Sequence, residues 1–145
     1  MLFYLVNNID TVSVCHNELR EKLKTWAREN KVGEKRIRQI WSATWEAIQN
    51  AIKFGSQLGD VIRIRFSPSS DEGILEIEIE QPLIWEDWDK RLGERKKAEI
   101  KTNRILHGGT FVMLLLADEI RVTDLGRKIT MSFSHEIVNS RKVAV

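Results

Sequence analysis

Residues 46–55 read EAIQNAIKFG, and they end a long apolar repeat near the middle of the chain. In the residues that lead into this stretch, apolar side chains recur at spacings of three and four, which predicts an amphipathic helix. The repeat consists of Ile37, Ile40, Trp41, Thr44, Ile48, Ala51 and Ile52. Gly55 follows it, where many helices end with a residue in the left-handed conformation. We therefore predict a helix that stops at Gly55.

The periodicity on either side of this helix predicts the elements next to it. Residues 2–6 are an apolar run typical of a buried or edge strand, and residues 13–29 repeat as a first amphipathic helix. After Gly55 the period falls to two in residues 61–66 and 74–80, as in half-buried strands. The turn-forming residues between these two segments predict an antiparallel hairpin.

The C-terminal part continues with a helix and two strands. Residues 111–119 form an apolar helix in this interpretation, and residues 120–123 and 128–133 are typical of strands. The order β-α-α-β-β-loop-α-β-β predicts an α+β fold: a two-layer sandwich with the helices on one face of a mainly antiparallel mixed sheet. A length of 145 residues fits a single domain over residues 1–145.

Two segments have no clear pattern. Residues 86–107 are long, charged and irregular, and long loops are usually functional, so we interpret them as a lid. Trp85 and Trp88, at its start, indicate either an interaction site or residues that cap a small core. Residues 134–145 form a weakly patterned tail.

Composition excludes several classes of function. The 23 basic and 21 acidic residues leave a net charge of +2, which argues against nucleic-acid binding. The longest apolar stretch, residues 111–117, is far shorter than a membrane span. One cysteine, Cys15, cannot form an internal disulfide, so we expect a cytoplasmic protein.

The predicted second helix also carries a candidate site. Glu46, Asn50 and Lys53 are spaced i, i+4 and i+7, so they share one face, which we expect to be turned away from the apolar repeat. Asn50 is suited to bind Mg²⁺ and Lys53 to offset phosphate charge, with Glu46 as a general base. The alternative is an ordinary solvated face on which none of the three has a special role.

Residues 46–55 resemble the N-box of the GHKL (Bergerat-fold) ATPases, which reads Glu-Ala-x-x-Asn-Ala-x-x-His-Gly in the anti-sigma-factor serine kinases. Residues 108–120, GGTFVMLLLADEI, are similar to the last glycine box and following helix of that family. Residues 126–133 resemble its final strand. These three matches occur in the order in which the family has them.

The resemblance implies a pocket for ATP and Mg²⁺ between the helices and the lid. It implies that Glu46 is the catalytic base, that Asn50 is the magnesium ligand, and that Gly108 and Gly109 lie near phosphate. Backbone N–H groups at a helix start favour anions, and glycine allows their close approach. The further cofactor-binding candidates are Lys53, Gln81 and Thr110. The alternative for residues 108–110 is an ordinary loop with Thr110 as helix N-cap.

The sequence departs from the family after the strand that ends at Glu80. The family has an Asp that binds the adenine amino group, followed by Gly-x-Gly, whereas residues 81–85 read QPLIW. Gln81 can still offer an amide to adenine. The next four side chains are larger than glycine, and Pro82 has no backbone N–H.

Two functions follow from the resemblance. The first is a bacterial regulatory protein similar to the anti-sigma-factor serine kinases, which binds Mg-ATP and a sigma factor or an anti-anti-sigma-like protein in partner switching. With a functional pocket it would transfer a phosphoryl group to serine. The alternative is a non-catalytic protein-binding module in which residues 82–85 fill the adenine space. The resemblance also implies a homodimer, with the N-terminal strand as an available edge.

Overall fold

The structure is a computed structural model that describes residues 1–68, 73–84, 113, 116–134 and 142–144. Within these ranges it has two long helices and six strands. They are β1 (Leu2–Val6), α1 (Ile9–Glu29), α2 (Glu34–Phe54), β2 (Val61–Pro68), β3 (Ile74–Glu80), β4 (Glu119–Thr123), β5 (Lys128–Ser134) and β6 (Lys142–Ala144).

The six strands form one sheet in the order β1-β2-β3-β5-β4-β6. Neighbouring strands from β1 to β4 pair antiparallel, whereas β6 pairs parallel to β4. Both helices pack on one face of this sheet. The side chains between the two layers are almost fully buried, among them Leu23, Ile37, Ile40, Ile48, Ile62, Ile64, Leu75, Ile77, Met131 and Phe133. The predicted two-layer α+β sandwich is therefore confirmed.

Helix α1 begins four residues before the predicted start. The side chain of Asn8 accepts a hydrogen bond from the backbone N–H of Asp10 and so caps the first turn. Ile9 is 84% exposed, so the first turn is fixed by this cap and not by burial of apolar surface.

The C-terminal segment differs from the prediction in two places. Glu119 belongs to β4, where it pairs with Ser132, so the predicted helix over residues 111–119 is too long at its end. Met113 and Leu116 are helical, and the rest of residues 111–115 lies outside the described residues. The tail contributes β6, which is too short to show a period of two. The predicted lid, Trp85 and Trp88 lie outside the described residues.

A buried arginine fastens the start of α2 to the sheet. Arg36 is only 5% exposed, and its guanidinium donates to the Ser134 carbonyl at 3.0 Å, to the Leu116 carbonyl at 3.1 Å, and to both carboxylate oxygens of Asp118 at 3.1 and 3.2 Å. It also lies over the ring of Phe133, 5.5 Å from the centroid. These contacts set the position of α2, and with it the position of every side chain that α2 carries.

Candidate functional site

The C-terminal half of α2 carries the three candidate residues of the second helix. Lys53 is exposed, Glu46 is half-buried and Asn50 is buried, at 9% exposure. The prediction that all three point away from the apolar face is therefore wrong for Asn50. The buried face is broader than the large apolar residues indicate, because the small side chains of Ala43 and Ala47 also pack against the sheet layer. Asn50 lies at the margin of this widened face.

The amide of Asn50 is buried without a partner in the part of the chain that the structure describes. Its Nδ2 has no hydrogen bond and no contact with solvent. An unpaired buried polar group costs about 1–3 kcal/mol. Such groups are rare in folded proteins, and a ligand that pairs with them recovers this free energy.

Glu46 and Lys53 also have no hydrogen bond or ion pair with described residues, in contrast to most charged side chains of α1. Glu46 precedes Asn50 by one helical turn and Lys53 follows it by about one turn. A carboxylate, an amide and an ammonium group thus lie along one side of α2, and Glu46 and Lys53 have no partner among the described residues.

Helix α2 ends at Gly55, as predicted, but for a different reason. The φ of Gly55 is −104° and its ψ is 1°, so this residue is not left-handed and the prediction of a left-handed cap is wrong. A Cβ atom at Gly55 would lie 2.1 Å from both Cδ and Oε1 of Gln81. A larger residue at position 55 would therefore have to displace the amide of Gln81, which lies directly against the Cα atom of Gly55.

Gln81 connects the end of β3 to the end of α2. Its backbone N–H donates to the Arg127 carbonyl at 2.7 Å, and its side-chain Nε2 donates to the Leu83 carbonyl at 3.0 Å. The N–H of Leu83 in turn donates to the Gly55 carbonyl at 3.0 Å. The segment after β3 is thereby docked on the C-terminus of α2, and Gln81 is 6% exposed.

The end of α2 is held from the other side by the turn after β1, which the sequence reasoning missed. Asn7 donates through Nδ2 to the Ile52 carbonyl at 3.1 Å and to the Ser56 hydroxyl at 2.9 Å. The Ser56 hydroxyl donates to the Ala51 carbonyl at 2.9 Å. The available signal was the pair Asn7-Asn8 directly after residues 2–6, since asparagine is common in turns.

The chain matches the model of the histidine kinase-like ATPase domain over residues 15–133. The chain belongs to this family. No curated protein matches the chain. The match includes α2, Gln81 and the sheet from β2 to β5, so it covers the candidate site as well as the fold.

Membership in the histidine kinase-like ATPase family suggests nucleotide binding. In this ATPase domain Gln81 occupies the position after β3 where the resemblance placed the adenine-binding Asp. Its Nε2 is engaged by Leu83, and its Oε1 has no hydrogen bond within the described residues. Oε1 is a hydrogen-bond acceptor, which is the property an adenine amino group requires.

The large side chains after Gln81 do not fill a buried space. Pro82 is exposed, Leu83 is 37% exposed and Ile84 is 46% exposed. The alternative in which residues 82–85 fill the adenine space stays a prediction. Trp85 lies outside the described residues, as do Gly108, Gly109 and Thr110.

The donor set of this ATPase domain fits a magnesium ion bound partly by a nucleotide. Mg²⁺ takes one or two protein oxygens and keeps waters and phosphate oxygens for the rest. The amide of Asn50 is fixed by no described hydrogen bond, and the carboxylate of Glu46 has no partner among the described residues. No group of three or more His, Cys, Asp or Glu lies close enough to hold a metal among the residues that the structure describes.

Among the described residues, no helix is both long enough and apolar enough to cross a membrane.

Proposed function

We propose that this chain binds Mg-ATP along the C-terminal half of α2. The observation that carries the proposal is the buried amide of Asn50, whose Nδ2 has no partner among the described residues. A protein gains no stability from such a group, since an alanine there would avoid its desolvation. A phosphate oxygen of a bound nucleotide would accept a hydrogen bond from Nδ2, and Oδ1 of the same amide would be the magnesium ligand.

The roles of the other residues follow from their positions. Oε1 of Gln81 accepts a hydrogen bond from the adenine amino group, and Lys53 offsets phosphate charge from the exposed side of the helix. Asn50 contributes the oxygen ligand to magnesium. Gly108, Gly109 and Thr110 complete the phosphate site in this proposal.

The reaction we propose is phosphoryl transfer to a serine of a protein partner. The seryl oxygen forms a bond to the γ-phosphorus while the bond from that phosphorus to the β–γ bridging oxygen breaks, and ADP leaves. The seryl proton passes to the carboxylate of Glu46. Such transfer depends mainly on positioning and charge stabilisation, which α2 provides by holding its polar groups on one rigid element.

The regulatory role rests on the resemblance of residues 46–55 to the N-box of the anti-sigma-factor serine kinases. We propose a partner-switching protein whose target is a sigma factor or an anti-anti-sigma-like protein. The nucleotide state of the site would decide which partner is retained.

Calorimetric titration with Mg-ATP tests the site. We expect saturable binding that requires Mg²⁺, is lost in Asn50→Ala and is retained in Gln49→Ala, the neighbouring residue on the same helix. Absence of binding at millimolar ATP, or equal binding by both variants, would contradict the proposal. A bound but unhydrolysed nucleotide in the presence of candidate partners would remove the kinase step and leave the binding site.

A second candidate function is a protein-binding module without catalysis. The observation that favours it is the engagement of Gln81, whose Nε2 is bonded to Leu83 and whose amide is packed against Gly55. If the unliganded arrangement is also the functional one, Mg-ATP will not bind. A partner captured equally with and without nucleotide would then identify the module.

A further inference from the structure

The side-chain amide of Gln81 is fixed by Leu83 on one side and by Gly55 on another. Its Nε2 donates to the Leu83 carbonyl at 3.0 Å. A Cβ atom at position 55 would overlap Cδ, Oε1 and Nε2 alike, so the whole amide group lies against the Cα atom of Gly55. The N–H of Leu83 donates to the Gly55 carbonyl at 3.0 Å, and this bond joins the two contacts to each other.

These contacts determine which end of the amide is left for a ligand. A carbonyl oxygen only accepts hydrogen bonds, so the end of Gln81 that faces Leu83 must be the NH2 group. Oε1 is the other end. It has no hydrogen bond with described residues, and it does not belong to their fully enclosed unpaired atoms. Gln81 therefore presents a hydrogen-bond acceptor and withholds its donor.

A purely structural link between β3 and α2 gives no reason for an acceptor without a partner. Gln81 is 6% exposed, so Oε1 has little access to water. A polar atom in such a place loses part of its hydration and gains no bond in return. The arrangement is better suited to an acceptor that pairs with a bound molecule.

The orientation of the group matters for glutamine in a way that it does not for aspartate or glutamate. Both ends of a carboxylate accept hydrogen bonds, so a half-turn of the group changes nothing. A half-turn of an amide replaces the acceptor by a donor. A freely turning glutamine therefore pairs with the 6-amino group of adenine and also with the 6-oxo group of hypoxanthine or guanine. A glutamine that is fixed pairs with only one of these groups.

We propose that Gly55 and the Leu83 carbonyl are positioning groups that hold the acceptor of Gln81 toward the nucleobase and thereby exclude 6-oxo purine nucleotides. The inference rests on the proposed nucleotide site, because Gln81 selects a base only where one binds. A 6-oxo group would bring a second acceptor against Oε1, so both oxygens would lose water without forming a hydrogen bond. Sites that leave a polar group unpaired in this way discriminate strongly between substrates.

The test compares Mg-ATP with Mg-ITP by calorimetry on the full chain, because the base of ITP has an oxo group in place of the 6-amino group. We expect ATP to bind about tenfold or more tighter than ITP. Gln81→Met keeps a side chain of similar length and removes both ends of the amide. This variant is expected to bind the two nucleotides with affinities within about twofold of each other.

Gly55→Ala tests the positioning role. The added Cβ atom displaces the Gln81 amide, so we expect the ratio of the ATP affinity to the ITP affinity to fall by about threefold or more. Gly33→Ala, at the start of α2, is the control: a Cβ atom there meets no atom within 4 Å, and the ratio is expected to stay unchanged. A general loss of structure weakens the binding of both nucleotides by the same factor, so it does not change this ratio.

A further pair of variants removes the dependence on orientation. Gln81→Glu has an acceptor at each end of its carboxylate, so ATP is expected to remain favoured over ITP. Adding Gly55→Ala to Gln81→Glu is then expected to leave the affinity ratio within about twofold of its value in Gln81→Glu. The same substitution of Gly55 thus has an effect beside an amide and none beside a carboxylate, which a purely structural role of Gly55 does not explain.

Three results would overturn the inference. Equal affinities for ATP and ITP in the unmodified chain would show that Gln81 does not select the base, while the proposed nucleotide site would stand. An unchanged affinity ratio in Gly55→Ala would remove the positioning role alone. Binding of neither nucleotide at millimolar concentration would overturn the proposed function, and this inference with it.

Discussion

A polar side chain is buried near each end of α2, and the two side chains differ in their hydrogen-bond partners. At the N-terminal end, Arg36 bonds to two carbonyls and one carboxylate. At the other end, the Nδ2 of Asn50 is equally enclosed and has no partner among the described residues. A buried charge is tolerated only when it is paired, so Arg36 serves the fold. The unpaired amide of Asn50 reduces stability, which is why we interpret it as part of a ligand site.

The largest loss of stability is expected from a substitution of Arg36, near the N-terminal end of α2. Arg36→Met removes the partner of Asp118 and leaves that carboxylate largely buried, so we expect the free energy of unfolding to fall by about 3–5 kcal/mol in urea titrations. Arg121→Met is the control. Its side chain is 46% exposed and contacts Glu76 at 3.5 Å, so it should cost about 1 kcal/mol or less. Equal losses in the two variants would show that the Arg36 network is not a structural anchor.

An intermediate effect is expected at the junction of α2 with Gln81. Gly55→Ala places a Cβ atom where the Gln81 amide lies, and we expect a loss of about 1–3 kcal/mol of unfolding free energy. The backbone conformation of Gly55 is accessible to alanine, so the loss comes from this contact alone. Gln81→Ala in the same chain should restore part of the stability. Additive losses in the double variant would refute the contact.

At Asn50, near the C-terminal end of α2, we expect a small effect on stability and a large effect on the binding of Mg-ATP. Asn50→Ala removes a buried group that has no partner among the described residues, so the free energy of unfolding should stay within about 1 kcal/mol of the original or increase. Calorimetry should show that Mg-ATP binding is lost in the same variant. A loss of stability as large as that of Arg36→Met would contradict the proposed difference between Arg36 and Asn50.

The smallest effect on stability is expected at the exposed ion pair of Arg28 and Glu34, at the start of α2. Arg28 donates to Glu34 at 2.8 Å, and this hydrogen bond, followed by the attraction of the guanidinium, holds the pKa of Glu34 below its usual value of 4.5. Because this pKa is lowered on folding, the pair contributes stability above pH 4.5, and the contribution is lost as the pH falls through the lowered pKa. The stability difference between the chain and Glu34→Gln should therefore be present at neutral pH and disappear in acid. A difference that persists in acid, or is insensitive to salt, would contradict this account.

Regular patterns in the sequence were sufficient for the architecture. The periods of α2 and of β2 and β3 predicted their type and approximate bounds, because a side chain's position on a helix or strand repeats with the backbone. The start of α1 was wrong by four residues, since the Asn8 cap lies before the apolar repeat begins. β6 was not predicted, because three residues are too few to show a period.

The site was predicted only in part. The spacing and the resemblance predicted Glu46, Asn50 and Gln81 as candidates, and these roles stay predictions, but neither predicted the burial of Asn50 or the contact of Gly55 with Gln81. Helical spacing indicates which residues share a face, not how far the neighbouring layer extends over it. The contact between Gly55 and Gln81 joins residues 26 positions apart, and no local pattern records it.

The sequence by itself determined the element order, the apolar faces and the identity of the polar residues on α2. These depend on local backbone geometry and on which side chains avoid water, and both can be read from neighbouring residues. Only the tertiary structure decided which polar residues found partners. Arg36 meets Asp118 and Ser134 from distant segments, whereas Asn50 meets no partner among the described residues, because pairing depends on how α2 is placed against the sheet.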